Sequence, residues 1–249
     1  MSTLTDTPAE APWLQLLSRW ALLTAVAILA LLLAFVVGLG FDQTVPQEYA
    51  ELVQASRRPF AFRLAYAIDA STYVLLGGIL VLFAGLFAQR TPVRAAFLAT
   101  CGVGQTLSLL GAFISLRVGS DLGGRYATGS VDLQASLVQA YLVVNQIIQA
   151  CFNAGSTLYA VGMLLVAWLG LSLGGVPRWL AGWFGLLGLF TLIDRAQLVV
   201  TGTPFPFFPV GLLVNVVGSM ALFVAVAVVF WRGRPVGRSS GASPRLATT

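Results

Sequence analysis

The sequence predicts an all-α membrane protein, a polytopic bundle of six transmembrane helices. Long apolar runs alternate with short polar connections, 58% of the residues are hydrophobic and 9% are charged, and the mean hydropathy is +0.88. Soluble domains carry about 25% charged residues. A bilayer solvates so much apolar surface directly, whereas water does not. We therefore expect a single membrane domain without a soluble module.

Each apolar run is about as long as the ~20 residues that a helix needs to cross a bilayer core. The first run has 22 residues without a charge, more than the ~7–15 apolar residues of a secretory signal, so we expect it to be an uncleaved span. The six runs begin near Trp20, Leu64, Ala95, Gln149, Trp179 and Phe205.

Polar segments flank these runs and define the predicted domain boundaries. Residues 1–18 contain two acids and two prolines and predict a short N-terminal tail. Residues 233–249 are rich in Gly, Ser, Pro and Arg, a composition typical of disorder. The transmembrane domain is therefore expected to cover residues 19–232.

Arginines predict the orientation of the chain. All 14 basic residues are Arg, and they lie at the ends of the runs rather than on one face, which argues against a nucleic-acid partner. Six crossings place both tails on one side, here called inner. Because cytoplasmic loops are rich in basic residues, the excess on this side predicts that both termini are cytoplasmic. The inner arginines are Arg19, Arg90, Arg94, Arg178, Arg232, Arg234, Arg238 and Arg245, and the outer ones are Arg57, Arg58, Arg63, Arg117, Arg125 and Arg195.

Two segments leave alternatives open. Ser136 to Leu173 is 38 residues without a charge, or ~57 Å of helix. We expect one span from about Gln149, preceded by an extension in or above the outer interface and kinked near residues 153–156. A seventh span is the rival interpretation. In the outer loop 42–63, a short helix after Pro46 either lies in the interface or is a linker packed on the bundle.

Polar side chains at membrane depth are the candidate site residues. Asp69 lies about six residues into the second run. An aspartate at the bilayer centre costs ~2.5–3.5 kcal/mol, so Asp69 should face the bundle interior and have a partner. In the fourth helix Gln146, Gln149 and Asn153 recur at steps of three and four and therefore share one face. The full candidate set is Asp69, Gln105, Gln146, Gln149, Asn153, Asp194, Arg195 and Asn215.

These residues fall in the outer half of the bundle or near its middle, whereas the inner halves are aliphatic and aromatic. This asymmetry predicts a polar pocket open to the outer face, deepest near Asn153 and Asn215, and argues against a channel. We expect Asp69 and Arg195 to form an ion pair or to share a bridging group. Such a cluster either binds a ligand or ties helices together without one.

Several chemistries are excluded by the residues. The chain has no His and no Lys, which rules out histidine general bases, zinc-binding H-E-x-x-H helices and lysine-containing phosphate loops. Cys101 and Cys151 are isolated within spans. Asp194 is followed by Arg195, which would hold it ionised and unable to share a proton with a second aspartate. We expect no enzyme activity, no cofactor and no metal.

The segment Val176-Pro177-Arg178-Trp179-Leu180-Ala181-Gly182 resembles the Pro-Arg-x-Leu-Gly signature of an uncharacterised bacterial multipass family, the domain-of-unknown-function family 4386. Residues 152–170 and Ile68-Asp69-Ala70 resemble two further helices of that family. Its members tend to carry an Arg in the third helix, where this chain has Gln105. The resemblance implies six helices in the bacterial cytoplasmic membrane, and it implies no activity.

Two functions remain open. The first is a non-enzymatic membrane protein whose outer polar pocket binds a small ligand or lipid, or which serves as an accessory subunit beside other membrane proteins. The alternative is a small secondary transporter that uses Asp69. Transporters tend to show internal repeats and broken helices, and no convincing repeat relates the two three-span halves.

Overall fold

The computed structural model describes residues 10–39, 47–201 and 208–231, and helices dominate these ranges. A π-helical turn, Ala34–Leu39, extends the first helix, and a 3-10 turn, Gln47–Tyr49, precedes the second. The predicted all-α helical bundle is confirmed. The α-helices in the described ranges are α1 (Glu10–Leu33), α2 (Ala50–Arg57), α3 (Pro59–Phe87), α4 (Pro92–Val103), α5 (Gln105–Thr128), α6 (Val131–Leu173), α7 (Arg178–Thr201) and α8 (Phe208–Phe230).

Five stretches of the described helices are long and apolar enough to cross a membrane. The described part of α8 adds a shorter apolar helix, Asn215–Phe230. The chain is therefore a multipass helical membrane protein, and the sixth crossing stays a prediction. The five stretches are Pro12–Gly38, Pro59–Phe87, Pro92–Thr128, Val131–Leu173 and Arg178–Val200.

The first helix begins earlier than the sequence predicted. The expected tail 1–18 is wrong from Glu10 onward, because α1 already includes these residues and buries Leu14 and Leu17 completely. The Ser18 hydroxyl donates a 2.7 Å hydrogen bond to the carbonyl of Ala227 on α8. Apolar residues at helical spacing thus continue the buried face of α1 toward its N-terminus. Residues 1–9 and the predicted disordered tail 233–249 lie outside the described residues.

Two helical rods are longer than a bilayer is thick. The backbone N–H of Gly104 bonds to the carbonyl of Thr100 at 2.9 Å, so α5 continues the direction of α4 as a 37-residue apolar stretch. Helix α6 has 43 residues, or ~65 Å, against a hydrocarbon core of ~30 Å. Because α6 runs without a break through residues 153–156, a seventh span within it is wrong, and the predicted N-terminal extension is helical.

The outer loop contains a helix that packs on the bundle. Leu52, Val53 and Ala55 of α2 are buried, and α2 lies against α5. At Gly123 of α5, a Cβ would stand only 2.8 Å from the Cβ of Ala55. The predicted short helix is therefore present and packs on the bundle with its apolar face covered by protein, and its position in the membrane interface stays a prediction.

Two tryptophans fix the register of α1 against α3. The indole N–H of Trp13 donates to the carbonyl of Leu82 at 3.0 Å, and that of Trp20 donates to the carbonyl of Leu75 at 2.8 Å. Donors and acceptors are both seven residues apart and run in opposite directions, so the helices are antiparallel. Each indole ring also lies on the glycine three residues after its acceptor, where the absence of a Cβ leaves room.

One end of the bundle collects several connections. In the turn between α3 and α4, Arg90 donates to the carbonyl of Leu173, the last residue of α6, at 2.6 Å. Nearby, the Arg94 guanidinium lies 4.4 Å from the ring centre of Trp168, within the range of a cation–π contact. Since Trp13 binds Leu82 near the end of α3, the start of α1 lies at this end too.

The described end of α8 lies at the same end of the bundle as the start of α1. Gln15, Arg19 and Trp231 line one cleft there, of about 190 Å³. An even number of crossings would place the first and the sixth span with these ends on the same side of the membrane. We call this end of the bundle the inner end. An apolar core fills the adjoining inner half, where the Phe83 ring centre lies 5.2 Å from that of Phe184 and 6.2 Å from that of Phe230.

Topology reporters provide a direct test of the orientation. A reporter fused after Thr249 and another inserted in the Arg90–Arg94 turn are expected to give the same cytoplasmic signal, because both follow from six crossings and the arginine bias. An insertion at Gly129, between α5 and α6, should give the opposite signal. A periplasmic signal from either of the first two fusions would contradict this orientation.

Candidate ligand site in the outer half of the bundle

The polar side chains of the outer half form two groups. The acidic cluster joins α2, α3 and α6, and the arginine cluster joins α6, α7 and α8. The acidic cluster consists of Glu51, Tyr66, Asp69, Tyr73 and Tyr141, and the arginine cluster consists of Asn153, Thr191, Asp194, Arg195 and Asn215.

The arginine cluster ties three helices together. The Nη2 of Arg195 lies 3.1 Å from the Oδ2 of Asp194, and its Nη1 donates to the Oδ1 of Asn153 at 3.1 Å. The Thr191 hydroxyl of α7 donates to the Oδ1 of Asn215 on α8 at 3.1 Å. Bonds of this kind help helices to associate in a membrane, and the choice between a structural and a ligand-binding role for these residues stays a prediction.

The expected ion pair between Asp69 and Arg195 is not formed. Among the described residues, the guanidinium of Arg195 pairs with Asp194 and Asn153, and no hydrogen-bond partner is shared with Asp69. Asp194 is the residue before Arg195 on α7, so the two side chains can pair whatever the position of α3. Tyr73 lies between the two residues in the sense that both Asp69 and Arg195 are within electrostatic range of it.

The acidic cluster is built from tyrosines and two carboxylates. Asp69 is only 6% exposed, and Tyr73, one turn later on α3, lies within electrostatic range of its carboxyl. The Tyr141 hydroxyl donates to the Oε2 of Glu51 at 2.8 Å, and Tyr66 lies within electrostatic range of Glu51. Glu51 lies within electrostatic range of Asp69. Two acids therefore share one neighbourhood with neutral donors.

Helix packing holds these side chains in place. The Phe62 and Tyr66 rings lie 4.6 Å apart on α3, and Phe35 meets Tyr66 edge-on at 5.6 Å. Phe62 itself lies against Gly119 of α5, where any Cβ would collide with the ring. Because α2 is pressed on the same helix, Glu51 is brought to α6 and to the Tyr141 hydroxyl.

Gln105 lies apart from both clusters, near the middle of the bundle. It is 3% exposed, and its Nε2 donates to the carbonyl of Gly155 on α6 at 2.8 Å. Within the described part of the chain, its Oε1 and the hydroxyl of the buried Ser108 have no hydrogen-bond partner. A Cβ at Gly155 would collide with Ser108, so α5 and α6 approach closely here.

The predicted polar face of α6 divides into two parts. Asn153 is half-buried and meets Arg195, whereas the side chains of Gln146 and Gln149 are exposed. The Nε2 of Gln149 makes a long 3.4 Å bond to Asn145 on its own helix. Residues on one face of α6 thus have different surroundings at different positions along the helix. Gln146 and Gln149 belong to neither cluster. The expected pocket near Asn153 and Asn215 stays a prediction.

Sequence reasoning did not select Glu51, Tyr66, Tyr73 or Tyr141 for the site. A local signal was present, because Tyr66, Asp69 and Tyr73 recur at steps of three and four and therefore share a face of α3. Nothing local connects Glu51 with Tyr141, which are 90 residues apart. Only the packing of α2 brings these two together.

Neither the described residues nor the comparisons assign a chemistry. In residues 10–39, 47–201 and 208–231, no group of three His, Cys, Asp or Glu side chains is placed to hold a metal ion. No protein-family model matches the chain, and no curated protein or solved structure is significantly similar to it. The resemblance to family 4386 stays a prediction, and the apolar helices identify the chain as a multipass membrane protein.

Proposed function

We propose that this chain is a non-enzymatic protein of the bacterial cytoplasmic membrane that binds a small cationic ligand at the acidic cluster. The observation that carries the proposal is the environment of Asp69. This carboxyl is buried among helices, and the neutral Tyr73 and the acid Glu51 both lie within electrostatic range of it. No arginine of the described residues forms an ion pair with it.

Charge supports this choice of ligand. A buried carboxylate costs free energy unless it is paired and hydrogen-bonded, and a second carboxylate nearby raises that cost. A bound cation would pair with the buried carboxylate and would also offset the repulsion between the two acids. Ionisable residues inside a membrane protein mark ligand or ion sites by default, and in the arginine cluster the guanidinium of Arg195 already has the carboxylate of Asp194 as its counter-charge.

The alternative is a small secondary transporter in which Asp69 contacts the transported cation. The buried acid and its tyrosines support this function as well. The apolar core of the inner half argues against a transporter. A polar solute that crossed this core would lose its hydrating water molecules and would find few side chains to replace their hydrogen bonds. If the reconstituted protein carries a flux of cations into liposomes, and if Asp69→Asn abolishes this flux, the transporter is favoured over a binding protein.

The proposal is tested by thermal unfolding of the purified protein in nanodiscs. At constant ionic strength, sodium, ammonium, methylammonium and tetramethylammonium ions are compared for their effect on the Tm. A ligand at 100 times its Kd stabilises by about 2.7 kcal/mol, and each kcal/mol raises the Tm of a chain of this size by about 2–4 °C. At least one of these cations is expected to raise the Tm by several degrees.

The Asp69→Asn variant is expected to lose this shift. Its own stability should change by no more than about 1 kcal/mol, because the substitution keeps the shape of the side chain and breaks no ion pair. The matched control is Asp121→Asn, whose carboxylate lies on the exposed surface of α5 beside Arg117 and which should keep the full shift. An equal shift in both variants, or none in the native protein, would contradict cation binding at Asp69.

A further inference from the structure

Two cavities adjoin between α1 and α8 at the inner end of the bundle. The first, here called the polar cleft, has a volume of about 190 Å³ and is lined by Gln15, Ser18, Arg19 and Trp231. The second, here called the apolar groove, has a volume of about 360 Å³ and is lined by Leu22, Val224, Ala227, Val228 and Trp231. Trp231 forms a wall of both, so the two cavities make one elongated site with a polar and an apolar part.

The antiparallel packing of α1 and α8 sets the order of these two parts. The hydroxyl of Ser18 in the polar cleft donates to the carbonyl of Ala227 in the apolar groove at 2.7 Å, so the cavities meet at this bond. Leu22 and Val224 lie one turn further from the inner end. They are 44% and 43% exposed, so the apolar groove opens sideways and is accessible to the acyl chains of the bilayer.

The polar cleft contains a cation without a counter-charge. Arg19 is exposed, and in the described ranges no carboxylate forms an ion pair with it. Among the described residues that line the cleft, none is acidic. The sequence that follows Trp231, residues 232–249, contains four arginines and no Asp or Glu, so its side chains add no negative charge. An anion can therefore reach Arg19 without displacing an acidic partner.

We propose that this site binds one anionic phospholipid, with its phosphate at Arg19 and one acyl chain in the apolar groove. Arginine binds phosphate through two parallel hydrogen bonds, and basic pockets between membrane helices bind anionic headgroups. The indole of Trp231 lies where the polar and apolar parts of this lipid meet, a position that tryptophan favours in membranes. A zwitterionic headgroup would add an ammonium group, for which the cleft offers no acid. The site is separate from the proposed cation site, and neither depends on the other.

Native mass spectrometry of the full chain, released from detergent micelles, tests the proposal. The protein is titrated with dioleoylphosphatidylglycerol and, separately, with dioleoylphosphatidylcholine, which has the same acyl chains and a zwitterionic headgroup. The first phosphatidylglycerol is expected to bind with a Kd at least about fivefold lower, the difference that one net charge makes beside a basic residue. Glycerol 3-phosphate, which has the phosphate without the acyl chains, should not be retained at the same concentrations.

Two pairs of variants test the position of the lipid. Arg19→Gln should raise the Kd for phosphatidylglycerol about tenfold, because it removes hydrogen bonds to a charged group. Arg178→Gln removes the same charge from another exposed arginine of the inner end and should leave the Kd unchanged. Val224→Phe fills the apolar groove from its rim and should raise the Kd about fivefold or more. Its control is Val103→Phe, at an exposed valine of α4, which should have no effect. All four positions are exposed, so each variant is expected to fold, and its elution as a single species checks this.

Four results would overturn the proposal. Equal Kd values for the two phospholipids would mean that the polar cleft does not select a negative headgroup. Equal effects of Arg19→Gln and Arg178→Gln would mean that the lipid responds only to the total charge of the inner end. Retention of glycerol 3-phosphate that Val224→Phe leaves intact would mean that the cleft binds an anion without a lipid. A dimer that Val224→Phe dissociates, and that retains no phosphatidylglycerol, would mean that a second copy of the chain covers the groove.

Discussion

Replacing Gly77 by alanine is expected to push α3 away from α4 and to destabilise the protein by about 3 kcal/mol or more. The new Cβ would stand 2.6 Å from the carbonyl oxygen of Gly102. That oxygen belongs to the backbone of a helix and has no rotamer by which to move away. Overpacking costs typically 1–3 kcal/mol even where side chains give way, so two backbones in contact should exceed this range.

The control for this substitution is Gly182→Ala in α7. A Cβ at Gly182 meets nothing within 4 Å, and alanine is a better helix former than glycine by about 1 kcal/mol. Unfolding of the detergent-solubilised protein, followed by circular dichroism, should show a large loss for Gly77→Ala and no loss for Gly182→Ala. Equal stability of the two variants would mean that α3 and α4 are not in backbone contact.

The second large effect is expected at Arg195. Arg195→Met should destabilise by about 3 kcal/mol, because it leaves the carboxylate of Asp194, which is 16% exposed, without its cation. It also removes the bond to Asn153 on α6. Asp194→Asn in the same chain should restore at least half of the loss, since the double variant no longer carries a buried unpaired charge.

A surface ion pair serves as the matched control. Arg117 and Asp121 lie at the same distance, 3.1 Å, but their side chains are 82% and 53% exposed. Arg117→Met should therefore change the free energy of unfolding by no more than about 0.5 kcal/mol. If the double variant Arg195→Met, Asp194→Asn is no more stable than Arg195→Met alone, the loss of stability comes from the broken bond to Asn153 and not from the unpaired carboxylate.

Much of the fold could be predicted because apolar length is a local property of the sequence. The five long apolar stretches, the absence of a second crossing within α6 and the clustering of connections at one end all follow from hydrophobic runs and charge placement. The boundaries followed less well. Helix α1 begins at Glu10 rather than near Trp20, since Leu14 and Leu17 are buried by neighbours that the N-terminal sequence does not reveal.

The candidate site was predicted in part. Polar residues in apolar runs are visible in the sequence, so Asp69, Asn153 and Arg195 could be selected as candidates, and their depth in the membrane stays a prediction. Their partners could not be selected, since a salt bridge depends on which faces meet. Arg195 found an acid on its own helix, and Asp69 acquired its neighbour Glu51 from a loop helix. Such choices are made by packing over long sequence separations.

The indole contacts of α1 also constrain how the protein is made. During synthesis α1 enters the membrane before α3 exists, so the N–H groups of Trp13 and Trp20 at first have no acceptor from their later partner. The Ser18 hydroxyl must wait longer still, because its acceptor Ala227 lies 209 residues later, on α8. Helix α1 therefore completes its contacts only after α8 has been synthesised. A nascent chain arrested before α8 would contain α1 docked along one side only.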